Sequence, residues 1–255
     1  MFGIFRSKKY EPLNYELRKW FENSLLWLEE EFPDPKVEDR KIFLPTADNM
    51  PFIWNNDEDS VQKALKMVAG CMAIPESELE LDFYETGITE INSGYNPIFL
   101  NNESDQAAGL YYEKDERGKY TIAIDKQFVN SPEHVIAIIA HELSHVKLLG
   151  EKRIEENDEH LTDLATVLFG FGIFCANTSF QYYQSSSGWG YSYQGYMNQD
   201  EWAYSLALLA YMRNEEKPDW ANGLNPTLKK DFDRSLKYIL DNEDEIFKFD
   251  PEPDK

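Results

Sequence analysis

Cysteine is scarce in this chain of 255 residues, which contains only Cys71 and Cys175. Each of the two lies in an apolar, helix-like stretch without the spacing of a metal-binding pair, so both are expected to be buried thiols. Residues 1–9 place their basic side chains after a very short apolar patch, which is not the order of a secretory signal. These features favour a reducing compartment, and we expect the protein to be cytoplasmic.

Long hydrophobic runs and positive charge are also lacking. No segment approaches about 18 uninterrupted apolar residues, so no transmembrane helix is expected. The 25 basic residues are outnumbered by 47 acidic ones, which gives a net charge of −22. Nucleic acids and anionic membranes would be repelled by this charge and are excluded as partners. A peptide or protein substrate is compatible with it, whereas the oligomeric state leaves no signal in the sequence.

The feature with the clearest chemistry is an H-E-x-x-H motif, at residues 141–145. On a helix, residues four apart lie on the same face, so His141 and His145 are close enough to bind one zinc ion. Glu142, next to the first ligand, is expected to take a proton from the water that the zinc activates. The alternative is that both histidines are satisfied core residues and that the motif is a coincidence.

The flanking residues predict the helix that this motif requires. Ser131 is a suitable N-cap, Pro132 suits the first helical position, and Glu133 places an acid in the first turn. Gly150 stands where a glycine would end the helix. About five turns lie between these signals, which is enough to carry the motif through a protein core.

A second predicted helix, residues 159–169, begins with the E-x-x-x-D pair Glu159 and Asp163. Together with H-E-x-x-H, this pair resembles the gluzincin metallopeptidases, the class that includes thermolysin. The resemblance implies that Glu159 is the third ligand of a Zn²⁺ ion held by His141 and His145. It also implies that Asp163 accepts the far N–H of a ligand imidazole, which fixes the tautomer and orientation of the ring.

The resemblance covers about residues 109–174, and its specific motifs lie only in the two helices. The link between His145 and Glu159 is shorter than in the thermolysin pattern and is more similar to that of compact intracellular members of the class. Asp158 and His160 compete with Glu159 as ligands, but only Glu159 has an acid four residues later. His160 would give a three-histidine site; otherwise it is a surface histidine near a helix start or a residue that faces the substrate.

The remaining patterns predict an α+β fold. Residues 109–113 and 120–125 are rich in β-formers and predict a hairpin, and residues 79–84 alternate as a strand does. The resemblance implies that one hairpin strand holds the substrate backbone by pairing with it, although a plain core hairpin is the alternative. We expect a small antiparallel sheet packed on a mainly helical, zincin-like catalytic core, with residues 1–75 as an N-terminal helical extension and residues 76–255 as the metallopeptidase domain.

Tyrosines after the second helix are candidates for the oxyanion donor and for substrate contacts. Residues 181–199 thread aromatic side chains through serine and glycine, which predicts a flexible loop. This loop is either a lid over the cleft or a compact loop that packs its own aromatic side chains on the core. Tyr204, in the second turn of a predicted helix, is the first choice as oxyanion donor. Tyr193 and Tyr196 come next and are expected to contact the substrate.

The sequence therefore predicts a zinc-dependent metallopeptidase of unknown specificity, in which Glu142 is the general base for a zinc-activated water. The alternative is a non-catalytic, zinc-containing binding or regulatory protein that uses the aromatic loop 181–199 to hold a protein partner. The complete motif set favours the enzyme, because an inactive relative would be expected to lose Glu142 first. That glutamate does no work in folding.

Overall fold

A computed structural model describes residues 10–46, 50–85, 89–92, 97–100, 109–185, 188–193 and 196–248. Residues 89–92, 97–100, 180–185 and 188–193 are described by their backbone alone. In chain order, the helices are α1 (Tyr15–Glu31), α2 (Glu58–Cys71), α3 (Pro132–His145), α4 (Glu159–Leu168), α5 (Gly172–Ser179), α6 (Gln199–Met212) and α7 (Pro226–Asp241). The strands are β1 (Leu79–Tyr84), β2 (Thr89–Asn92), β3 (Pro97–Leu100), β4 (Gly109–Tyr112), β5 (Tyr120–Asp125), β6 (Phe180–Ser185) and β7 (Gly188–Tyr193). The described residues are mostly helical, and the predicted α+β class is confirmed.

The chain divides into two compact units, each with its own core. The first, the sheet unit, comprises residues 46–157, and the second, the helical unit, comprises residues 1–45 and 158–255. This division differs from the predicted boundary after residue 75, because α1 packs on α4 in the helical unit whereas α2 packs on α3 in the sheet unit. The N-terminal part of the chain therefore contributes one helix to each unit instead of forming a separate extension.

The sheet unit contains a three-stranded sheet with the order β1-β5-β4. β4 and β5 form the predicted antiparallel hairpin, with Tyr111 opposite Ile122, but β1 runs parallel to β5, with Leu79 opposite Tyr120. The sheet is therefore mixed, and the prediction of an antiparallel sheet is wrong on this point. The reason is the long connection between β1 and β5, since only a tight turn forces neighbouring strands to be antiparallel. β4 is an edge of this sheet and β5 is its centre.

α3 begins where the sequence predicts but ends at His145, and a π-helix continues from it to Gly150, the predicted end. Ser131 is the N-cap residue, but its hydroxyl contacts Nδ1 of His134 at 2.6 Å instead of capping a backbone N–H. Pro132 occupies the first helical position, where a missing N–H costs nothing. The π-helix, Val146–Gly150, directly follows the motif, and π-helical turns are frequent at functional sites. Most of α3 is buried against β4, β5 and α2, so Glu142 and His145 of the motif are buried in the sheet unit, whereas His141 is half-buried.

The helical unit is built from α1 and α4 to α7. At the start of α6, the side chain of Asn198 accepts the backbone N–H of Glu201, and the Glu201 carboxylate accepts the backbone N–H of Asn198. This reciprocal cap fixes where α6 begins, because it satisfies two N–H groups that have no partner inside the helix. In the part of the chain that the structure describes, no helix is long and apolar enough to cross a membrane.

Candidate metal centre

The two motif histidines face each other on α3. Nε2 of His141 and Nε2 of His145 are 3.2 Å apart, and the ring planes are nearly perpendicular at 84°. The helix produces this arrangement, since residues four apart lie one above the other on the same face. His145 is 7% exposed, so its imidazole is held within packed surroundings and not on a free surface.

The spacing of these two nitrogens suits a tetrahedral zinc ion. Two zinc–nitrogen bonds of about 2.0 to 2.1 Å at the tetrahedral angle separate the nitrogens by about 3.3 Å. The observed separation of Nε2 atoms, 3.2 Å, is close to that value without any rearrangement. His141, His145 and Glu159 each offer one ligand atom, and these atoms all lie within 4.8 Å of one another. Among the described residues this is the single group of three or more such side chains, and two imidazoles with one carboxylate are a donor set typical of catalytic zinc.

The start of α4 distinguishes Glu159 from its two neighbours. Asp158 is the N-cap, and its carboxylate accepts the backbone N–H of Leu161 at 3.0 Å. Its carboxylate is therefore already used in starting the helix. His160 lies beside Glu201, with 3.8 Å between its Nε2 and the carboxylate, and its ring meets the ring of Trp20 edge-on. Both competitors thus have structural contacts that account for their presence.

The ring of Tyr111 in β4 packs on His145. Their ring centroids are 5.9 Å apart and their planes differ by 19°, which is a nearly parallel, offset stack. The Tyr111 hydroxyl is buried and has no hydrogen-bond partner among the described residues. Burial raises the pKa of Tyr111 to about 12, so the phenol stays protonated at neutral pH. His145 is consequently enclosed by an aromatic ring on one side and by His141 on another.

Glu142, the predicted general base, lies against Gly109 in β4. The Glu142 side chain is buried, with the residue 7% exposed. A Cβ atom at position 109 would lie 2.9 Å from Oε1 of Glu142 and 2.4 Å from Cγ2 of Ile138. Real Cβ atoms do not approach other atoms so closely. Glycine at 109 therefore leaves the space that the Glu142 carboxylate occupies.

Asp163, the predicted partner of a ligand imidazole, is 2% exposed and holds the chain that follows β7. Its Oδ2 accepts the backbone N–H groups of Tyr196 and Met197 at 2.7 and 3.0 Å. The carboxylate thus ties α4, one turn after Glu159, to the segment that leads into α6. Its predicted hydrogen bond to a ligand imidazole stays a prediction.

Tyr204 does not have the surroundings of an oxyanion donor. It is 0% exposed, and its hydroxyl donates to Oε1 of Glu22 at 2.8 Å. Burial first, and then the Glu22 carboxylate, raise its pKa. A hydroxyl that is fully enclosed and already donated to a buried carboxylate cannot meet a substrate, so the role predicted for Tyr204 is corrected to a structural one.

The aromatic segment 181–199 also differs from its prediction. Most of the segment forms an antiparallel hairpin of β6 and β7, in which Phe180 pairs with Tyr193. The prediction of a flexible loop is therefore wrong for this part of the chain. Cross-strand pairing explains the many aromatic residues, which are favoured in strands. The Tyr193 side chain lies outside the described residues. Tyr196 is 57% exposed, and its contact with a substrate stays a prediction.

Sequence reasoning missed Gly109, Tyr111 and Tyr84. Successive side chains of β4 point to opposite faces, so Gly109 and Tyr111 lie on the same face. Nothing in the local sequence indicates that this face contacts α3. Tyr84 ends β1, and its pKa is raised by burial first and then by the carboxylates of Asp125 and Glu142. This phenol therefore stays protonated in the electrostatic field of the proposed base.

Comparison of the chain with models of known protein families, with curated proteins and with solved structures finds no match in any of the three. The case for a zinc site accordingly rests on the geometry of the described residues.

Proposed function

We propose that this protein is a gluzincin-like zinc metallopeptidase, a hydrolase that cleaves peptide bonds. The observation that carries the proposal is the 3.2 Å separation of the Nε2 atoms of His141 and His145, which suits two ligands of one tetrahedral zinc ion. A glutamate directly follows the first of them, as general-base catalysis at such a site requires. With Glu159, three protein side chains would hold the ion, the number typical of catalytic rather than structural zinc.

The residues of the site would have separate tasks. His141, His145 and Glu159 would hold a Zn²⁺ ion, which would supply Lewis acidity to a water molecule and to the scissile carbonyl. Glu142 takes a proton from the attacking water as the carbon–oxygen bond forms. It then returns that proton to the leaving nitrogen as the carbon–nitrogen bond breaks, so no other acid is needed. Asp163 orients a ligand imidazole through its far N–H.

The sheet unit offers an edge for a peptide. β4 is an edge strand of the three-stranded sheet and packs on α3, the helix of the motif. An edge strand has unpaired N–H and C=O groups, and an extended peptide can bind to them as an added strand. A peptide bound there would lie next to the strand that contacts Glu142 and His145. The proposed partner is accordingly a peptide or protein substrate.

We also propose that the protein works in the cytoplasm, as its cysteines indicate. Cys175 is buried, and burial raises the pKa of its thiol to about 12. The thiol is therefore protonated at neutral pH and slow to be oxidised, which is compatible with a reducing compartment. Expression with a fluorescent tag in cells that allow secretion would test this directly, and export of the protein would contradict it.

The first test is metal content. Protein purified without added zinc is analysed for metals, as the wild type and as the variants His141→Ala and Glu159→Ala. About one zinc per chain in the wild type, with a large loss in both variants, is the expected result. His134→Ala is the matched control, since His134 lies on the same helix but stacks on Phe128. It should keep its zinc.

Two outcomes would overturn the proposal. The first is a wild-type protein that binds no zinc even after zinc is supplied. The second is a zinc content that the His141→Ala variant retains, because the metal would then be bound elsewhere. A zinc-loaded wild type that cleaves no peptide in a mixed library would instead favour the non-catalytic, zinc-containing protein.

A further inference from the structure

β4 contacts both functional parts of the motif from one face. Successive side chains of a strand point to opposite faces, so positions 109 and 111 share a face. Gly109 meets Glu142, the proposed base, and Tyr111 meets His145, the proposed ligand. The strand therefore lies where it can set the position of two groups with different chemical tasks.

Tyr111 restricts the imidazole of His145. A metal ligand must present one nitrogen to the ion, and the ring can rotate about its last side-chain bond unless its flanks are filled. Here the Tyr111 ring lies nearly parallel to it at 19°, while the His141 ring is nearly perpendicular at 84°. Rotation of the His145 ring about that bond would break its nearly parallel stack on Tyr111. The stack thus favours the ring orientation in which Nε2 of His145 lies 3.2 Å from Nε2 of His141.

Gly109 restricts the carboxylate of Glu142 in another way. Any side chain at 109 would begin 2.4 Å from Ile138 and 2.9 Å from Oε1 of Glu142. Either the strand must move away from α3, or the carboxylate must leave its place. We expect the carboxylate to move, because a shift of the strand would also carry Tyr111 away from His145. The two imidazoles then keep their places on the helix.

We propose that β4 is the positioning element of the metal centre, in which Tyr111 orients the ligand His145 and Gly109 makes room for the base Glu142. This inference rests on the proposed zinc site. It assigns separate tasks to two positions of one strand, and these tasks have separate readouts. Both are positioning residues, since each acts through a motif side chain.

The Tyr111 part is tested by the affinity for zinc. Tyr111→Leu removes the aromatic face, and zinc affinity, measured by competition with a chromophoric chelator, should fall on the order of tenfold, as for other groups that support a ligand. Tyr111→Phe keeps the ring and should bind zinc as the wild type does. The visible spectrum of the cobalt-substituted protein should shift for Tyr111→Leu and stay unchanged for Tyr111→Phe, since it reports ligand geometry. Circular dichroism of the metal-free proteins shows whether each variant is folded. If Tyr111→Leu is unfolded, it is replaced by Tyr111→Met, whose side chain fills more of the space.

The Gly109 part is tested by separating binding from turnover. Gly109→Ala should leave the zinc affinity near that of the wild type, whereas the turnover number falls and its pH profile shifts, because Glu142 is displaced. Gly70→Ala is the matched control in the same unit, since a Cβ there meets nothing within 4 Å. It should change neither quantity.

The outcomes distinguish this inference from the proposed function. A wild type without zinc would overturn both. If the wild type binds zinc and Tyr111→Leu binds it with the same affinity, only the role of Tyr111 is overturned. If Tyr111→Phe and Tyr111→Leu lose the same amount of zinc affinity, the hydroxyl and not the ring is responsible. This result would also overturn the role of the Tyr111 ring. A loss of zinc affinity in Gly109→Ala as large as that in Tyr111→Leu would contradict the division of tasks along β4.

Discussion

Two buried glutamates, one in each unit, show how differently a carboxylate can be used. Glu22 of α1 is 0% exposed and Glu142 of α3 is 7% exposed. Glu22 accepts hydrogen bonds from the hydroxyl of Tyr204, the ammonium of Lys19 and the backbone N–H of Phe247, at 2.8, 2.8 and 3.0 Å. Glu142 instead lies one residue from His141, against a glycine that leaves its carboxylate room.

Burial alone therefore does not identify a reactive carboxylate. Around Glu22, a cation and two further donors compensate the charge and join α1, α6 and the chain after α7, which is what a structural network does. Around Glu142, the neighbouring imidazoles face each other at a distance suited to a shared metal ion. What surrounds the carboxylate, and not its exposure, separates the two roles, and variants of each residue test that separation.

The strongest effect is expected on turnover when Glu142 is changed. In Glu142→Gln, the side chain keeps its shape but no longer takes up a proton, so peptide hydrolysis should fall by about 10² to 10⁴-fold. Zinc content and the free energy of unfolding should be unchanged. The measurement is kcat/KM on a peptide that the wild type cleaves.

A second acid of the same helix is the control for that change. Glu133→Gln alters an exposed residue in the first turn of α3, and it should leave turnover unaffected. If Glu142→Gln retains wild-type activity, the zinc centre is not a metallopeptidase site of the proposed kind. If it loses its zinc, the glutamate has a structural role like that of Glu22, and the contrast between the two residues disappears.

Replacing Glu22 should lower the stability of the protein and leave the zinc centre unchanged. Glu22→Gln leaves the Lys19 ammonium, whose side chain is 14% exposed, without its carboxylate. Breaking a buried pair from one side typically costs about 3 kcal/mol of unfolding free energy, which urea denaturation would measure. Zinc affinity should not change. Glu16→Gln, at an exposed position of the same helix, should be neutral, and a zinc loss in Glu22→Gln without a stability loss would refute the structural assignment.

Tyr204→Phe tests the corrected role of that tyrosine. The variant removes the hydroxyl that donates to Glu22 and should lower the free energy of unfolding by about 2 kcal/mol, as for hydrogen bonds to charged groups. kcat and KM of the folded protein should be those of the wild type. A fall in kcat at unchanged stability would instead restore the oxyanion role and contradict the structural one.

The sequence predicted what local patterns determine. α3 was predicted because a cap, a proline and an apolar run lie next to one another along the chain, and the hairpin of β4 and β5 because its turn is short. The same holds for the pair His141 and His145, since helical geometry alone brings them together. The elements that carry the motif were thus accessible without a structure.

What the sequence did not predict depends on contacts between distant segments. The parallel pairing of β1 with β5, the membership of α1 in the helical unit and the bond between Tyr204 and Glu22 all join residues far apart in the chain. Tyr204 was chosen by type and position, and only its partner 182 residues away shows that its hydroxyl is engaged. Tyr111 was overlooked for the same reason, because its importance comes from the ring that it meets.

The weakest effect is expected for His160→Ala, which tests the choice of the third ligand. The His160 side chain is 44% exposed, and its Nε2 lies 3.8 Å from the Glu201 carboxylate. A partly exposed pair of this kind contributes at most about 1 kcal/mol to stability, so urea denaturation should detect little change. Zinc stoichiometry and affinity should equal those of the wild type, in contrast to Glu159→Ala. If His160→Ala loses zinc and Glu159→Ala keeps it, the centre is a three-histidine site and the pairing of H-E-x-x-H with Glu159 is wrong.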